Sequence, residues 1–358
     1  MRNVFIVLFL YSSILLSNEH QNDSIKNFIN YLEQRNQVVE KIQETYPYNK
    51  LEISITSLLD KNVKKEVFRF PSNLDPYPKE KRFYKYTKPD FIKAIYINNR
   101  TPFLKNFPQF IEKAKINGIN TLVIDIQPKL IPEQSIKKLK DEKFYLIARI
   151  VIFDQGFKEY PPNKKHLEHL YRLIDLAEKA VQYGFEEVQL DYIRFADNYY
   201  SKDLTLGKRY RFIAGILKLF EDRLRPYGIR IGADIFGRIP FYENDIIGQK
   251  MEIFDRYLDH IHPMLYPSHF YGMKERINQP YQTVYEGVKN ALHRVKNAEI
   301  IPYIQAFRMS IGGTGLTYRD YIKKQIQACI DANAKGFIAW NAKNDYNEFF
   351  KALKEIYE

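Results

Sequence analysis

Cysteine is almost missing: among 358 residues only Cys329 carries a thiol. A single thiol forms no intrachain disulfide and excludes Cys₄ and Cys₂His₂ metal centres. Its place in the helical run from Tyr321 to Ile330 predicts a buried structural thiol rather than a nucleophile. Tryptophan occurs once, so the aromatic surface comes from 28 Tyr and 25 Phe. No Gly-x-Gly-x-x-Gly loop follows any strand-like segment, which argues against a dinucleotide-binding open sheet. No nucleic-acid module accompanies the basic residues, and His262 and His269 lack the spacing of a metal-ligand set. No metal or cofactor is therefore expected, and no nucleic-acid partner. Past the N-terminus, no apolar run is long enough to cross a bilayer.

What is present is an excess of positive charge, 55 Lys and Arg against 43 Asp and Glu, giving a formal net charge of +12. Such a surplus favours an anionic neighbourhood such as an acidic glycan or a membrane surface. It is spread along the chain in short clusters such as Lys137-Lys138, so solvated lysine faces account for most of it. Arg2 followed by the apolar stretch from Val4 to Leu16 has the form of a secretory signal. Cleavage is expected near Ser17, with an uncleaved anchor as the alternative because Leu15 is large for its position. The protein is thus expected to be exported: periplasmic, extracellular or envelope-associated. Residues 1–19 read as the signal, and residues 20–88 as an extension with an amphipathic helix from Ser24 to Tyr46 and a Pro-rich, charged linker. Residues 89–358 read as the main domain.

Within that domain strand-like and helix-like patterns alternate. Predicted strands are Ala94–Asn98, Thr121–Gln127, Tyr145–Phe153, Glu187–Ile193, Arg230–Ile235, His260–Tyr266, Ile301–Phe307 and Phe337–Asn341. Helical patterns include Phe103–Asn117, Lys165–Tyr183, Leu206–Tyr227, Pro280–Val295 and Tyr318–Ala334. Gly118, Gly184, Gly228 and Gly336 stand between a helix and the next strand, where a left-handed C-cap favours glycine. Eight such units predict an α/β fold of the (β/α)8, or TIM barrel, type, typically ~250 residues long.

In such a barrel, residues at the carboxyl ends of the strands meet at one mouth. That gathers Asp125, Arg149, Asp191, Arg194, Asp234, His262, Tyr266, His269, Gln305, Trp340 and Asn341. Two acids on adjacent strands suit glycosidic cleavage, where one protonates the leaving oxygen and the other attacks or stabilises an oxocarbenium-like centre. Asp191 takes the nucleophile or stabiliser role, with Arg149 or Arg194 beside it to hold it ionised. Asp234, next to Ile235 and Phe236, takes the general acid/base role because apolar surroundings raise a carboxyl pKa. The remaining residues are expected to position sugar. Bland readings stand beside these: Asp191–Arg194 as a rim salt bridge, Asp234 as a turn cap, the histidines as satisfied polar groups.

Several stretches carry a resemblance. They are Ala148–Phe153; Gly184 through Phe195, with Leu190-Asp191-Tyr192-Ile193-Arg194-Phe195; Ala233-Asp234-Ile235-Phe236-Gly237; Asp259 through His269, with Pro263-Met264-Leu265-Tyr266-Pro267; Ile304–Phe307; and Gly336 through Tyr346. In these the chain resembles the glycoside-hydrolase-like barrels grouped as a glycosyl hydrolase domain of unknown function and, more distantly, the alpha-amylase-type barrels. The resemblance implies a barrel and a carbohydrate hydrolase, with its acids falling on Asp191 and Asp234. Two departures stand out. Ile126-Gln127-Pro128-Lys129 replaces a lysine and an acidic, glycine-bearing turn, and Ala196 replaces a proline. The expected function is hydrolysis of a polysaccharide or envelope glycan. Rivals are a barrel that binds glycan without cleaving it, a basic envelope-associated scaffold, and substrate-assisted cleavage of an N-acetyl sugar.

Overall fold

The computed structural model describes residues 82–201 and 204–357. The expected signal, the helix from Ser24 to Tyr46 and the linker before residue 82 lie outside the described residues. Among the described residues nine strands pair in parallel: β1 (Ile92–Ile97), β2 (Thr121–Asp125), β3 (Tyr145–Val151), β4 (Glu187–Asp191), β5 (Arg230–Phe236), β6 (His260–Met264), β7 (Glu299–Ile300), β8 (Tyr303–Gln305) and β9 (Gly336–Trp340). Neighbours follow chain order from β1 to β6, and β1 also pairs with β9, which closes the sheet. Both β7 and β8 pair with β6, and β8 passes on to β9, so together they form the seventh of eight staves. The single strand expected over Ile301–Phe307 is displaced and broken in two at Ile301-Pro302. Pro302 has no N–H to donate to a ladder.

Side chains of a strand alternate between its faces, and the two faces form separate cores. Ile95, Leu122, Leu146, Val188, Ile231 and Ile261 point outward into the core shared with the helices. Ile92, Ala94, Tyr96, Val123, Ile147, Tyr303 and Ile338 fill the barrel interior. The helix that delivers the chain to β4 shows how the outer core forms. It runs Lys164–Tyr183 and buries Leu167, Leu170, Leu173, Ile174, Ala177 and Val181 at helical spacing. Burial of each leucine there is worth roughly 1.5–3 kcal/mol. Asn163 caps its start, accepting from the N–H groups of Lys165 and His166, while the His166 ring accepts from the Asn163 N–H. Gly184 ends it at φ 116°, a left-handed conformation that L side chains avoid.

Residues 82–88, which composition assigns to a linker, lie against the amino-terminal end of the barrel. Asp259 accepts from Arg82 Nη1 at 2.5 Å and from Tyr84 at 2.7 Å, and the backbone N–H of Ile231 donates to it at 2.9 Å. Lys88 pairs with Glu299 at 2.8 Å, and Arg230 donates to the Tyr86 carbonyl at 2.8 Å. Charge density here serves a docked strap, because Arg82 and Lys88 each meet a carboxylate of the barrel. Cys329 is buried in the helix Tyr318–Asp331. Among the described residues no helix is long and apolar enough to cross a membrane.

Candidate active site

Arg149 organises the carboxyl end of the barrel. Its Cα is paired in register with Asp125 on one side and Gln189 on the other, so its side chain enters the interior between β2 and β4. Nη1 donates to Asp125 Oδ1 and Nη2 donates to Asp191 Oδ2. Nε lies 3.6 Å from Asp234 Oδ2. One guanidinium thus touches the acids of three strands, and the Tyr96 ring sits 5.4 Å from it. Tyr96 also donates its hydroxyl to Asp125.

Each acid has further partners. Asp191 accepts the N–H of Tyr192 on Oδ1 at 2.6 Å. Tyr192 holds φ at +53°, uncommon for a non-glycine residue, and this turn aims its amide at the carboxylate. Asp234 Oδ1 accepts from Gln189 Nε2 at 2.6 Å, and the same amide donates to the Tyr303 hydroxyl at 2.7 Å. Burial, and then the negative charge of Asp191, pushes the Asp234 carboxyl well above the ordinary carboxylate range; the guanidinium opposes this without cancelling it. Asp191 is 4% exposed and Asp234 1%, so access to this layer opens first on the side of Asp125.

An aromatic wall stands beside the acids. The Trp340 ring lies 6.0 Å from Tyr96, nearly parallel, and 5.8 Å from Tyr266. Phe307 and the exposed His269 extend it, with His269 5.1 Å from Tyr266. Such rings offer the apolar faces that sugars stack on, though Tyr96 and Tyr266 are themselves buried.

The remaining residues expected at the mouth face protein. Arg194 donates to the Phe195 carbonyl at 3.0 Å and pairs with Asp197 at 3.2 Å, its guanidinium 4.4 Å from the Phe236 ring. No Asp191–Arg194 bridge forms, because Tyr192's left-handed turn sends the chain off the strand before Arg194. Gln305 is fully buried, accepting from the Ser268 N–H and donating to the carbonyls of Phe307 and Met309. Asn341 donates to the carbonyls of Ala306 and Asp345. Both fold the loops that carry the aromatic wall. His262 lies two residues before the end of β6, deeper in the barrel. Tyr96, Gln189 and Tyr303 were not anticipated. Gln189 is readable in hindsight, since it sits two residues before Asp191 and so shares its face.

Residues 162–346 match the family model described as "Putative glycosyl hydrolase domain". The match takes in Asp191 and Asp234 and begins after Asp125, Arg149 and the Ala148–Phe153 stretch. Among solved structures, a chitinase from Chromobacterium violaceum is similar at 11% identity and TM-score 0.51, over 75% of this chain and 99% of that one. The spore cortex-lytic enzyme SleL of Bacillus megaterium aligns at 9% identity and TM-score 0.52, over 79% and 76% of the two chains. A Group IV chitinase of Ostrinia furnacalis aligns at 12% identity and TM-score 0.51, over 75% and 99%. At such identities these establish the shared barrel. No curated protein matches the chain in sequence.

Proposed function

The chain belongs to this family of glycosyl hydrolase domains, and on that premise we propose that it hydrolyses a polysaccharide by two-carboxylate catalysis at the Arg149 cluster. The observation that carries the reading is the unequal treatment of two acids on adjacent strands. Asp191 is balanced by a guanidinium and a backbone N–H, while Asp234 is buried and held toward its protonated form. A carboxyl held toward its protonated form is what the general-acid role requires. Asp234 is then the proton donor to the leaving oxygen. Asp191 is the nucleophile or the anion that faces the oxocarbenium-like centre. Trp340, Phe307 and His269 offer surfaces for the sugar, with Asp125 at the open side. Because the relatives in fold include chitinases and a spore cortex-lytic enzyme, chitin and cell-wall glycans head the substrate panel.

The test measures reducing-end release from that panel by the wild type and by Asp191→Asn and Asp234→Asn. Turnover by the wild type should fall by about 10²-fold or more in each variant, the scale of a lost general acid. Both variants should remain folded by circular dichroism. Turnover that survives both substitutions would sink the assignment. A second reading, glycan binding without cleavage, draws on the near-complete burial of Asp191 and Asp234. Glycan binding with no product over the whole panel would decide for it.

A further inference from the structure

Beneath the mouth, at the amino-terminal ends of the strands, the barrel interior holds a second cluster of polar groups. Glu187 opens β4, His260 opens β6, and His262 follows two residues later on the same face. His260 and His262 are 1% and 0% exposed, and Glu187 is fully buried. His260 Nδ1 lies 2.9 Å from Glu187 Oε1, and His262 Nε2 lies 3.5 Å from that same oxygen. One donor atom from each of the three residues falls within 4.8 Å of the others.

The outward-facing atoms of all three are already held. His262 Nδ1 is 3.0 Å from the Ile301 carbonyl, which only accepts, so Nδ1 carries the ring proton. That leaves the Nε2 lone pair aimed at a carboxylate oxygen, and this buried nitrogen has no hydrogen-bond partner. His260 Nε2 faces Glu299 Oε2 at 3.4 Å, and Tyr145 donates to Glu187 Oε2 at 3.0 Å. An imidazole tied through its far nitrogen to a carbonyl or a carboxylate is the usual support of a metal-ligating histidine. Gly232 of β5 completes the arrangement. A Cβ built there would stand 2.5 Å from His262 Nε2 and 2.7 Å from Glu187 Oε1, so only a glycine lets both atoms come this close to the β5 backbone.

We propose that Glu187, His260 and His262 form a binding site for a divalent transition metal of the zinc class, pinning β4 to β6 below the catalytic layer. Two imidazoles and one carboxylate suit such an ion. Glu299, with a side chain 34% exposed, marks the route from solvent. The site stands apart from the hydrolase reading, and its role is to hold the barrel together. The competing state is a proton in place of the metal. Burial opposes charge on His260, but Glu187 outweighs it and holds the ring up to about 9.

The test uses the full chain, stripped with a chelator and checked for retained fold by circular dichroism. Titration with Co²⁺ should give visible d–d bands at one equivalent, and Zn²⁺ should displace them. Added Zn²⁺ should raise the thermal midpoint by several degrees. His262→Gln should lose the bands, and so should Gly232→Ala, whose added methyl would push His262 Nε2 and Glu187 Oε1 out of place. Uptake equal in the wild type and folded His262→Gln, or no uptake by the folded wild type, would overturn the proposal. Should both variants fail to fold, zinc-edge X-ray absorption on the wild type decides. Two imidazoles in the metal's coordination shell support the site, and fewer refute it.

Discussion

Asp234 shows what one buried carboxyl does to the molecule around it. Its folded pKa stands above its unfolded value, so the stability it contributes is complete below the ordinary carboxylate range and is lost as pH rises through the folded pKa. Asp234→Asn removes that dependence while keeping an acceptor for Gln189. The expected outcome is a thermal midpoint that gains on the wild type as pH rises above about 4. Calorimetry of both proteins across that range checks it, and parallel curves would refute it. Turnover should likewise decline as pH rises through the same raised pKa, since the acid must be protonated to act. Arg149 has the opposite weight. Arg149→Met would leave the acid groups of Asp125, Asp191 and Asp234 without their shared cation, and breaking a buried pair costs about 3–5 kcal/mol. Chemical denaturation should register a loss of that order. Asp191, Asp234 and Arg149 were legible in the sequence because strand ends select them. Arg194, Gln305, His262 and Asn341 read as equals there, since residue type does not reveal whether a side chain leaves the strand inward or is spent on a loop carbonyl.

Among the elements, the seam between β9 and β1 governs the mouth. Tyr346 donates to the Tyr96 carbonyl at 2.6 Å, and Asn344 Nδ2 donates to the same carbonyl at 2.9 Å. Asn344 Oδ1 accepts from the Asn98 N–H at 3.0 Å and from Thr101 at 2.7 Å. Asn344 holds φ at +56°, which Asn tolerates better than most residues. Its replacement by Ala is expected to cost about 1–3 kcal/mol through unsatisfied buried groups. The β1 end that carries Tyr96 should loosen with it, and faster hydrogen exchange at Ile97 and Asn98 would report this. An unchanged exchange rate would show that strand pairing alone holds the seam. Element order was legible because apolar runs ended on Gly118, Gly184 and Gly228, each at positive φ. Gly336 differs: it begins β9, and a Cβ there would lie 2.2 Å from the Ile92 carbonyl, so close approach selects it. The docked strap at 82–88 was not legible, because its ion pairs join residues more than a hundred positions apart.

For the whole molecule, a formal charge of +12 favours the approach of polyanions. Binding of a polyanionic glycan should weaken severalfold as ionic strength rises from about 0.01 M to about 0.15 M, where the screening length shrinks from roughly 30 Å to roughly 8 Å. A neutral glycan should show little change; isothermal titration at the two salt levels separates them. The closed barrel itself was readable from alternation alone, whereas the depth of each acid was not, because depth depends on register around the closed sheet. The mouth reverses the sign of the body. Three acids there share the single cation of Arg149, which is tied to the protein by one flexible stem. Any sugar mimic bringing its own ammonium or iminium into that layer would rival the guanidinium for the same oxygens, so basic sugar analogues should outlast neutral ones as inhibitors.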